Sequence, residues 1–291
     1  MTPDASNKPL GGSNLYEYGE GQLRLVSVDP LGQAIPGAVE LGDDGGDILL
    51  RNFRQNAISA DGSRIFFDAQ ELGGGQIHVR IDGERTVQIP NSREFYAADP
   101  AGERAVYGRD GAISIFDVDT QTVTDVVNPC PSDCAFVTAS QDLDRIYFVH
   151  GAALLPGQDP LPAGTLGLYL WEEGDLRFIA SVEPTVDSFN FTRFLATGGT
   201  LRNRSLAVSA DGSRLAFVAG GEVNGVDTGH YNAYLYEAEA DELVCMSCPD
   251  GEPKADPEDP AMLWGGVNHS GGSPYASDLH EPYVISANGS R

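Results

Sequence analysis

The chain has 291 residues, among them 35 glycines and 18 prolines, and its 43 acidic residues outnumber its 18 basic residues to give a net charge of −25. Such a charge repels phosphate backbones and anionic lipid headgroups, which excludes nucleic acid and membrane surfaces as partners and favours cations or basic protein patches. No apolar stretch approaches a membrane span, and the composition is typical of a turn-rich, all-β chain.

We predict that residues 1–13 form an N-terminal tail. They lack the apolar segment of a signal peptide, so we expect a secreted protein's signal peptide to lie upstream of this sequence. Residues 14–28, NLYEYGEGQLRLVSV, alternate apolar and polar side chains around a short turn. This period of two predicts a β-hairpin.

A repeated phrase follows, reading ISADGSRIFF at residues 58–67, VSADGSRLAF at residues 208–217 and ISANGSR at residues 285–291. Its Asp-Gly or Asn-Gly pair favours the positive φ of a tight turn, and apolar residues lie on both sides. Each copy therefore predicts two strands, which we name a and b, joined by that turn. Fainter copies surround Arg104 and Arg145.

An alternating hairpin, strands c and d, follows each complete copy of the phrase. The unit therefore has four strands, and its arginines lie 40, 41, 69 and 77 residues apart, at Arg64, Arg104, Arg145, Arg214 and Arg291. The first two spacings match the roughly 40–45 residues of a propeller blade. The longer two predict the same unit with insertions.

The phrase S-A-D-G-S-R, with a hydrophobic residue and Phe after it, resembles the WD-like β-propeller repeat of TolB-type proteins. The segment ELVCMSCPDG, at residues 242–251, resembles a variant common in large secreted actinobacterial propellers. The resemblance covers about residues 14–291 and implies a fold, because propellers host binding, scaffolding and catalysis alike.

We therefore expect one all-β domain over residues 14–291, a β-propeller of four-stranded antiparallel blades. It comprises a c–d hairpin at 14–28, four complete blades at 55–90, 95–128, 136–182 and 206–248, and a partial blade at 282–291. If closed, this would be a five-fold ring; otherwise it is an arc of a larger ring. The stop at Arg291, before a strand b, favours a fragment.

The long connections all join strand b to c, at 149–167 and 218–232, or strand d to the next a, at about 181–205 and 249–281. In a propeller these connections emerge on one face, which predicts a binding face for a protein or carbohydrate. Neutral drift of surface loops is the alternative. The binding-face candidates are His150, Asp159, Asp227, His230, Tyr231, Trp264 and His269.

All five histidines (His78, His150, His230, His269 and His280) fall at the end of the blades that carries these connections. Their spacing matches no metal-binding motif, so solvated loop histidines are expected and no catalytic residue is assigned. The alternative is a propeller-type hydrolase or lyase, or the propeller portion of a larger enzyme, using His150 or His230 with loop carboxylates.

The four cysteines form two local pairs, Cys130 with Cys134 and Cys245 with Cys248. A four-cysteine zinc site is disfavoured, because pairs two blades apart lie about 20 Å from each other when sheets pack about 10 Å apart. Two local disulfides are expected, with free thiols as the alternative, and disulfides imply an oxidising, extracytoplasmic compartment.

Acidic clusters occur at residues 43–47, 117–125 and 250–259. Calcium suits carboxylates that lie close together on a loop, but none of these clusters has the order of a calcium-binding loop. We therefore expect solubilising surface charge and no cofactor, with calcium as the alternative.

Overall fold

The structure, a computed structural model, describes residues 13–19, 21–42, 56–71, 74–183, 206–219, 222–224, 226–227 and 232–248. These residues form β-strands joined by turns and loops and contain no helix. None of this part of the chain could therefore cross a membrane as a helix. The predicted partial blade at 282–291 lies outside the described residues.

A two-stranded sheet of β1 (Tyr16–Gly19) and β2 (Gln22–Leu25) comes first. Two four-stranded sheets follow, one of β3 (Ala38–Leu41), β4 (Arg64–Glu71), β5 (Gly74–Ile81) and β6 (Arg85–Gln88), the other of β7 (Ser92–Ala98), β8 (Arg104–Arg109), β9 (Ala112–Asp117) and β10 (Thr122–Val127). In each of them, every strand pairs antiparallel with the next.

The fourth sheet contains β11 (Cys134–Ala139), β12 (Arg145–His150), β13 (Leu166–Glu172) and β14 (Asp175–Val182), with β17 (Glu222–Val223) and β18 (Val226–Asp227) added at its edge. The fifth contains β15 (Leu206–Val208), β16 (Arg214–Ala219), β19 (Asn232–Glu237) and β20 (Glu242–Cys245). This all-β series of four-stranded antiparallel blades confirms the predicted propeller fold class.

The described residues form two compact units. The first holds those within Met1–Ser132 together with Gln141–Leu143, and the second holds the others from Asp133 onward. In the first unit, Phe66 and Val79 of one sheet pack against Phe95 and Tyr107 of the next. The rings of Phe66 and Phe95 stack with centroids 5.3 Å apart. Burial of facing apolar surfaces thus holds the sheets together.

The second unit repeats this arrangement with its own two sheets. Tyr147 and Leu168 pack against Leu215 and Phe217 in a single buried cluster. Tyr236 meets the ring of Tyr147 edge-on, with centroids 6.4 Å apart. Each unit therefore has a core made by face-to-face stacking of two blades.

Strand a of the first copy was expected to pair with strand b. Within the described residues this pairing is an isolated antiparallel bridge between Ile58 and Ile65, with a hydrogen bond of 2.8 Å from the Phe66 N–H to the Ala57 carbonyl. β3 occupies the rest of that edge of β4, with Leu41 opposite Phe67. Asn56, with a φ of 56°, precedes this pairing.

The repeated phrase itself is a hydrogen-bonded turn. The Ser59 hydroxyl donates to Asp61 at 2.7 Å and accepts from the Arg64 N–H at 2.9 Å. In the later copy, Ser209 makes the same bonds to Asp211 and Arg214, at 2.6 Å and 3.0 Å. The phrase recurs because it closes the a–b turn of a blade.

The arginine of the phrase also ties neighbouring blades together within a unit. In the first unit, Arg64 donates to Asp119 on the c–d turn of the next sheet at 2.8 Å. In the second, Arg145 donates to Glu172 of its own sheet at 2.6 Å, and to Glu239 and the Asp211 carbonyl of the next sheet at 2.6 Å and 3.1 Å. The phrase therefore specifies blade stacking as well as a turn.

Candidate functional site

The candidate site is the edge of the second unit at which strands b and c are joined, here named the b–c edge. There, residues 151–165 connect β12 to β13, whereas in the first unit Asp110 and Gly111 alone connect β8 to β9. A two-residue connection is sufficient to close such a hairpin. The longer loop is therefore an addition to the blade.

Loop 151–165 is built around the buried hydroxyl of Tyr169. This hydroxyl donates to the Ala152 carbonyl at 2.9 Å and accepts from the Gln158 side-chain amide at 3.0 Å and the Leu154 N–H at 3.3 Å. Burial raises the pKa of Tyr169, although the bonds from Gln158 and Leu154 act in the opposite direction. The neutral hydroxyl thus anchors the inner side of the loop, while Asp159 on the outer side is exposed.

His150 is an anchor of the same loop. The sequence suggested a solvated loop histidine, but the structure makes His150 the last residue of β12, with only 3% of its surface exposed. Its Nδ1 accepts a hydrogen bond from the Ala152 N–H at 2.9 Å. The expectation of a solvated side chain was wrong because strand b includes Val149 and His150, which the loop pattern assigned to the connection.

His78 is also buried, at 5% exposure. Its ring stacks on Phe67 with centroids 5.3 Å apart, and its Nδ1–H donates to the Gln76 carbonyl at 3.0 Å. The same cross-strand position holds Tyr169 opposite Phe148 and Tyr234 opposite Phe217. His78 therefore occupies a packing position of the blade.

The second long connection contributes β17 and β18, here named the edge hairpin. Val223 pairs with Val182 of β14, and its side chain is buried in the core of the unit. The Asn224 N–H donates to the Ser181 carbonyl at 3.2 Å, and the Ser181 N–H donates to the Asn224 side-chain oxygen at 3.0 Å. Part of this loop therefore extends the sheet of the preceding blade to six strands.

The edge hairpin was not predicted, although the sequence contains a signal for it. Asn224 and Gly225 lie between Val223 and Val226, and an Asn-Gly pair between apolar residues is a strong hairpin signal. Asn224 adopts the expected positive φ of 52°. The strands have only two residues each, which is too short for an alternating pattern to be recognised.

The predicted disulfides are confirmed. Cys245 is bonded to Cys248, and Cys130 and Cys134 are disulfide-bonded as well, which leaves no free thiol. Between the first two, the Ser247 hydroxyl donates to the Asn232 side-chain oxygen at 2.9 Å and accepts from the Ala233 N–H at 3.0 Å. This turn thus holds the start of β19, the strand that follows the edge hairpin in the chain.

Of the seven binding-face candidates, the structure describes His150, Asp159 and the backbone of Asp227. His150 and Asp159 lie at the two sides of one loop, and Asp227 belongs to β18. His230, Tyr231, Trp264 and His269 lie outside the described residues, as do His280 and most of the two d–a insertions. Within the described ranges, no group of three or more His, Cys, Asp or Glu side chains could hold a metal ion.

No protein-family model and no curated protein matches this sequence. Among solved structures, TolB from Acinetobacter baumannii is similar at 13% identity and a TM-score of 0.38, over 77% of this chain and 48% of TolB. An oligogalacturonate lyase in complex with manganese is similar at 15% identity and a TM-score of 0.37, over 82% of this chain and 73% of the lyase.

Dipeptidyl peptidase 4 from Porphyromonas gingivalis is similar at 12% identity and a TM-score of 0.42, over 80% of this chain and 38% of the peptidase. This chain thus spans less than half of the TolB and peptidase structures. The assignment to the propeller class rests on the topology of the sheets described above.

Proposed function

We propose that this chain is a non-catalytic, extracytoplasmic propeller module that presents its long b–c and d–a connections as a binding face. The observation that carries the proposal is loop 151–165. Its inner side is fixed to buried Tyr169, and its outer side, including Asp159, is exposed. An ordered loop on a rigid sheet pre-organises a surface and reduces the entropy lost on binding.

The partner we propose is a protein or a carbohydrate. The net charge of −25 favours a protein with a basic surface, because opposite charges steer association. The two disulfides support an oxidising compartment, where such bonds persist. A signal peptide upstream of this sequence is part of the same proposal.

The alternative, a propeller hydrolase or lyase, has less support from the geometry. His150 is one of its two candidates, but the Nδ1 of His150 already accepts the Ala152 N–H and its ring is almost fully buried. A general base must reach the proton that it abstracts. Activity on glycan or peptide substrates that disappears in a His150→Ala, His230→Ala double variant would restore this alternative.

A loop replacement tests the binding proposal. Residues 153–164 are replaced by Asp-Gly, the connection that the chain itself uses at residues 110–111, and the variant is tested on a glycan array and against Lys/Arg-rich peptides. We expect the affinity for any probe bound by the wild type to fall at least about tenfold, since the exposed contacts are gone. Exposed Glu242, at the opposite end of the second unit's last sheet, provides the control substitution Glu242→Gln. Equal binding by the loop variant and the control would refute the proposal.

A further inference from the structure

The turn that follows β20 has the sequence Cys-Met-Ser-Cys, and its disulfide closes a loop of only four residues. Cys245 and Cys248 are both half-buried, and Met246 between them is 48% exposed. In the other disulfide, Cys130 is half-buried as well, whereas Cys134 is only 5% exposed. Thiol–disulfide exchange requires access to a sulfur, and in the 245–248 pair neither cysteine is fully buried, so a reductant can approach from either residue.

Ser247, inside this four-residue ring, connects the turn to the chain returning from the edge hairpin. It bonds to the side chain of Asn232 and to the N–H of Ala233. Asn232 is fully buried, and the Met246 N–H donates to the Ala233 carbonyl at 2.8 Å. Asn232 also pairs with Ala219 of β16, so the cross-linked turn is one of two elements that hold it.

Among the described residues, the edge hairpin is attached to β14 by the Val182–Val223 pair, by burial of Val223, and by the two hydrogen bonds between Asn224 and Ser181. Segments with so few buried contacts open at low free-energy cost. Attachment of the edge hairpin to β14 therefore depends strongly on how the chain is held where it leaves β16 and where it enters β19.

We propose that the Cys245–Cys248 disulfide is a redox-sensitive clamp for the edge hairpin, and that a dithiol reductant opens it. A thiolate of the dithiol attacks one cysteine sulfur, the Cys245–Cys248 bond breaks, and a mixed disulfide forms. The second thiol of the reductant then resolves the mixed disulfide. The protein thereby gains two electrons and two protons and ends with two thiols, while the dithiol is oxidised to its disulfide. The freed turn releases Ser247 from Asn232, and the hairpin leaves β14. This inference concerns regulation and does not depend on the proposed partner.

Amide hydrogen exchange tests the clamp. The reporters are the N–H groups of Ser181 and Asn224, which bond across the hairpin junction, and Leu168 in the central strand β13 serves as a reporter of global unfolding. Reduction of the wild type with dithiothreitol, and the variant Cys245→Ser, Cys248→Ser, are expected to accelerate exchange at both reporters about tenfold and leave Leu168 unchanged. The matched control is Cys130→Ser, Cys134→Ser, which should leave Ser181 and Asn224 unchanged.

Unchanged exchange at Ser181 while thiol labelling shows Cys245 and Cys248 reduced would overturn the proposal. Faster exchange at Leu168 as well would also overturn it, since the disulfide would then support the whole unit. Ser247→Ala, with the disulfide intact, tests the connection directly and does not depend on folding of the cysteine variant. It should reproduce the acceleration at Ser181, and wild-type rates in this variant would refute the role of Ser247.

Discussion

Replacing the turn glycine of the repeated phrase by alanine distinguishes the two roles of the phrase, turn formation and blade stacking. Gly62 and Gly102 occupy the same position of successive copies in the first unit, with φ of 76° and 69°. A Cβ on Gly62 would have no atom within 4 Å, whereas a Cβ on Gly102 would lie 2.9 Å from the Cβ of Arg64 and 3.3 Å from that of Ser59. Gly102 is therefore in contact with the preceding blade, whereas the space around Gly62 is open among the described residues.

The left-handed conformation costs alanine about 1–2 kcal/mol at either position. At Gly102, the extra methyl group must also displace the Arg64 and Ser59 side-chain stems, and such overpacking adds about 1–3 kcal/mol. We therefore expect Gly102→Ala to lower the free energy of unfolding by about 2 kcal/mol more than Gly62→Ala. Gly212→Ala should resemble Gly102→Ala, because its Cβ would lie 2.7 Å from the Cβ of Ser140.

Urea unfolding followed by far-UV circular dichroism measures this difference, with Gly62→Ala as the matched control for backbone strain. The two variants share one unit, so the same cooperative transition reports on both. If Gly102→Ala and Gly62→Ala lower the free energy of unfolding by amounts that agree within about 0.5 kcal/mol, the turn glycine is needed only for its positive φ, and the blade-stacking role is refuted.

Three further outcomes follow from single side chains. Hydrogen bonding, first from Ser59, lowers the pKa of the Asp61 carboxyl from 3.8 to about 2. The contribution of this carboxylate to stability is therefore present above the ordinary pKa and lost as the pH falls toward 2. Asp61→Asn should remove that part of the acid dependence of the unfolding free energy, and parallel curves of unfolding free energy against pH for variant and wild type from pH 4 to 2 would contradict this. Tyr169→Phe removes the hydroxyl that anchors loop 151–165 and positions Gln158, which also accepts the Leu154 N–H at 3.1 Å. The Leu154 amide should therefore exchange about tenfold faster with the core unchanged, and wild-type exchange there would contradict the anchoring role. Arg145→Lys keeps the charge, but a lysine ammonium cannot reach all three acceptors of the guanidinium. The free energy of unfolding in urea should therefore fall by about 1–2 kcal/mol. A lysine variant as stable as the wild type would show that only the charge of Arg145 matters.

Much of the fold could be read from the sequence because the phrase carries its own conformation. The arginine anchors Arg64, Arg104, Arg145 and Arg214 each begin a strand, β4, β8, β12 and β16. Even the faint copy with Leu143 in place of the turn glycine keeps a positive φ of 61° there. A turn with several internal hydrogen bonds tolerates such substitutions, so its pattern survives in the sequence.

The parts that the sequence did not predict are those that depend on long-range contacts. β3 pairs with β4 across an intervening stretch of chain that no local pattern links to it. The edge hairpin attaches to β14 through Asn224 and Ser181, which are 43 residues apart. His150 was assigned to the loop because burial of a histidine depends on neighbours that alternation does not reveal.

The two ends of the blades thus have different physical constraints. At the a–b and c–d end, Arg64 and Arg145 join each blade to the turns of the next one in the same unit, so a longer turn there would break the ion pairs. At the b–c edge, no such arginine crosses between the described sheets of the second unit, and the connections can lengthen without disturbing the stack. Loop 151–165 and the edge hairpin both lie at this end, and both are attached to the sheets by side-chain hydrogen bonds, between Gln158 and Tyr169 and between Asn224 and Ser181. These hydrogen bonds fix both connections to the strands, at the end of the blades where added length interrupts none of the ion pairs described above.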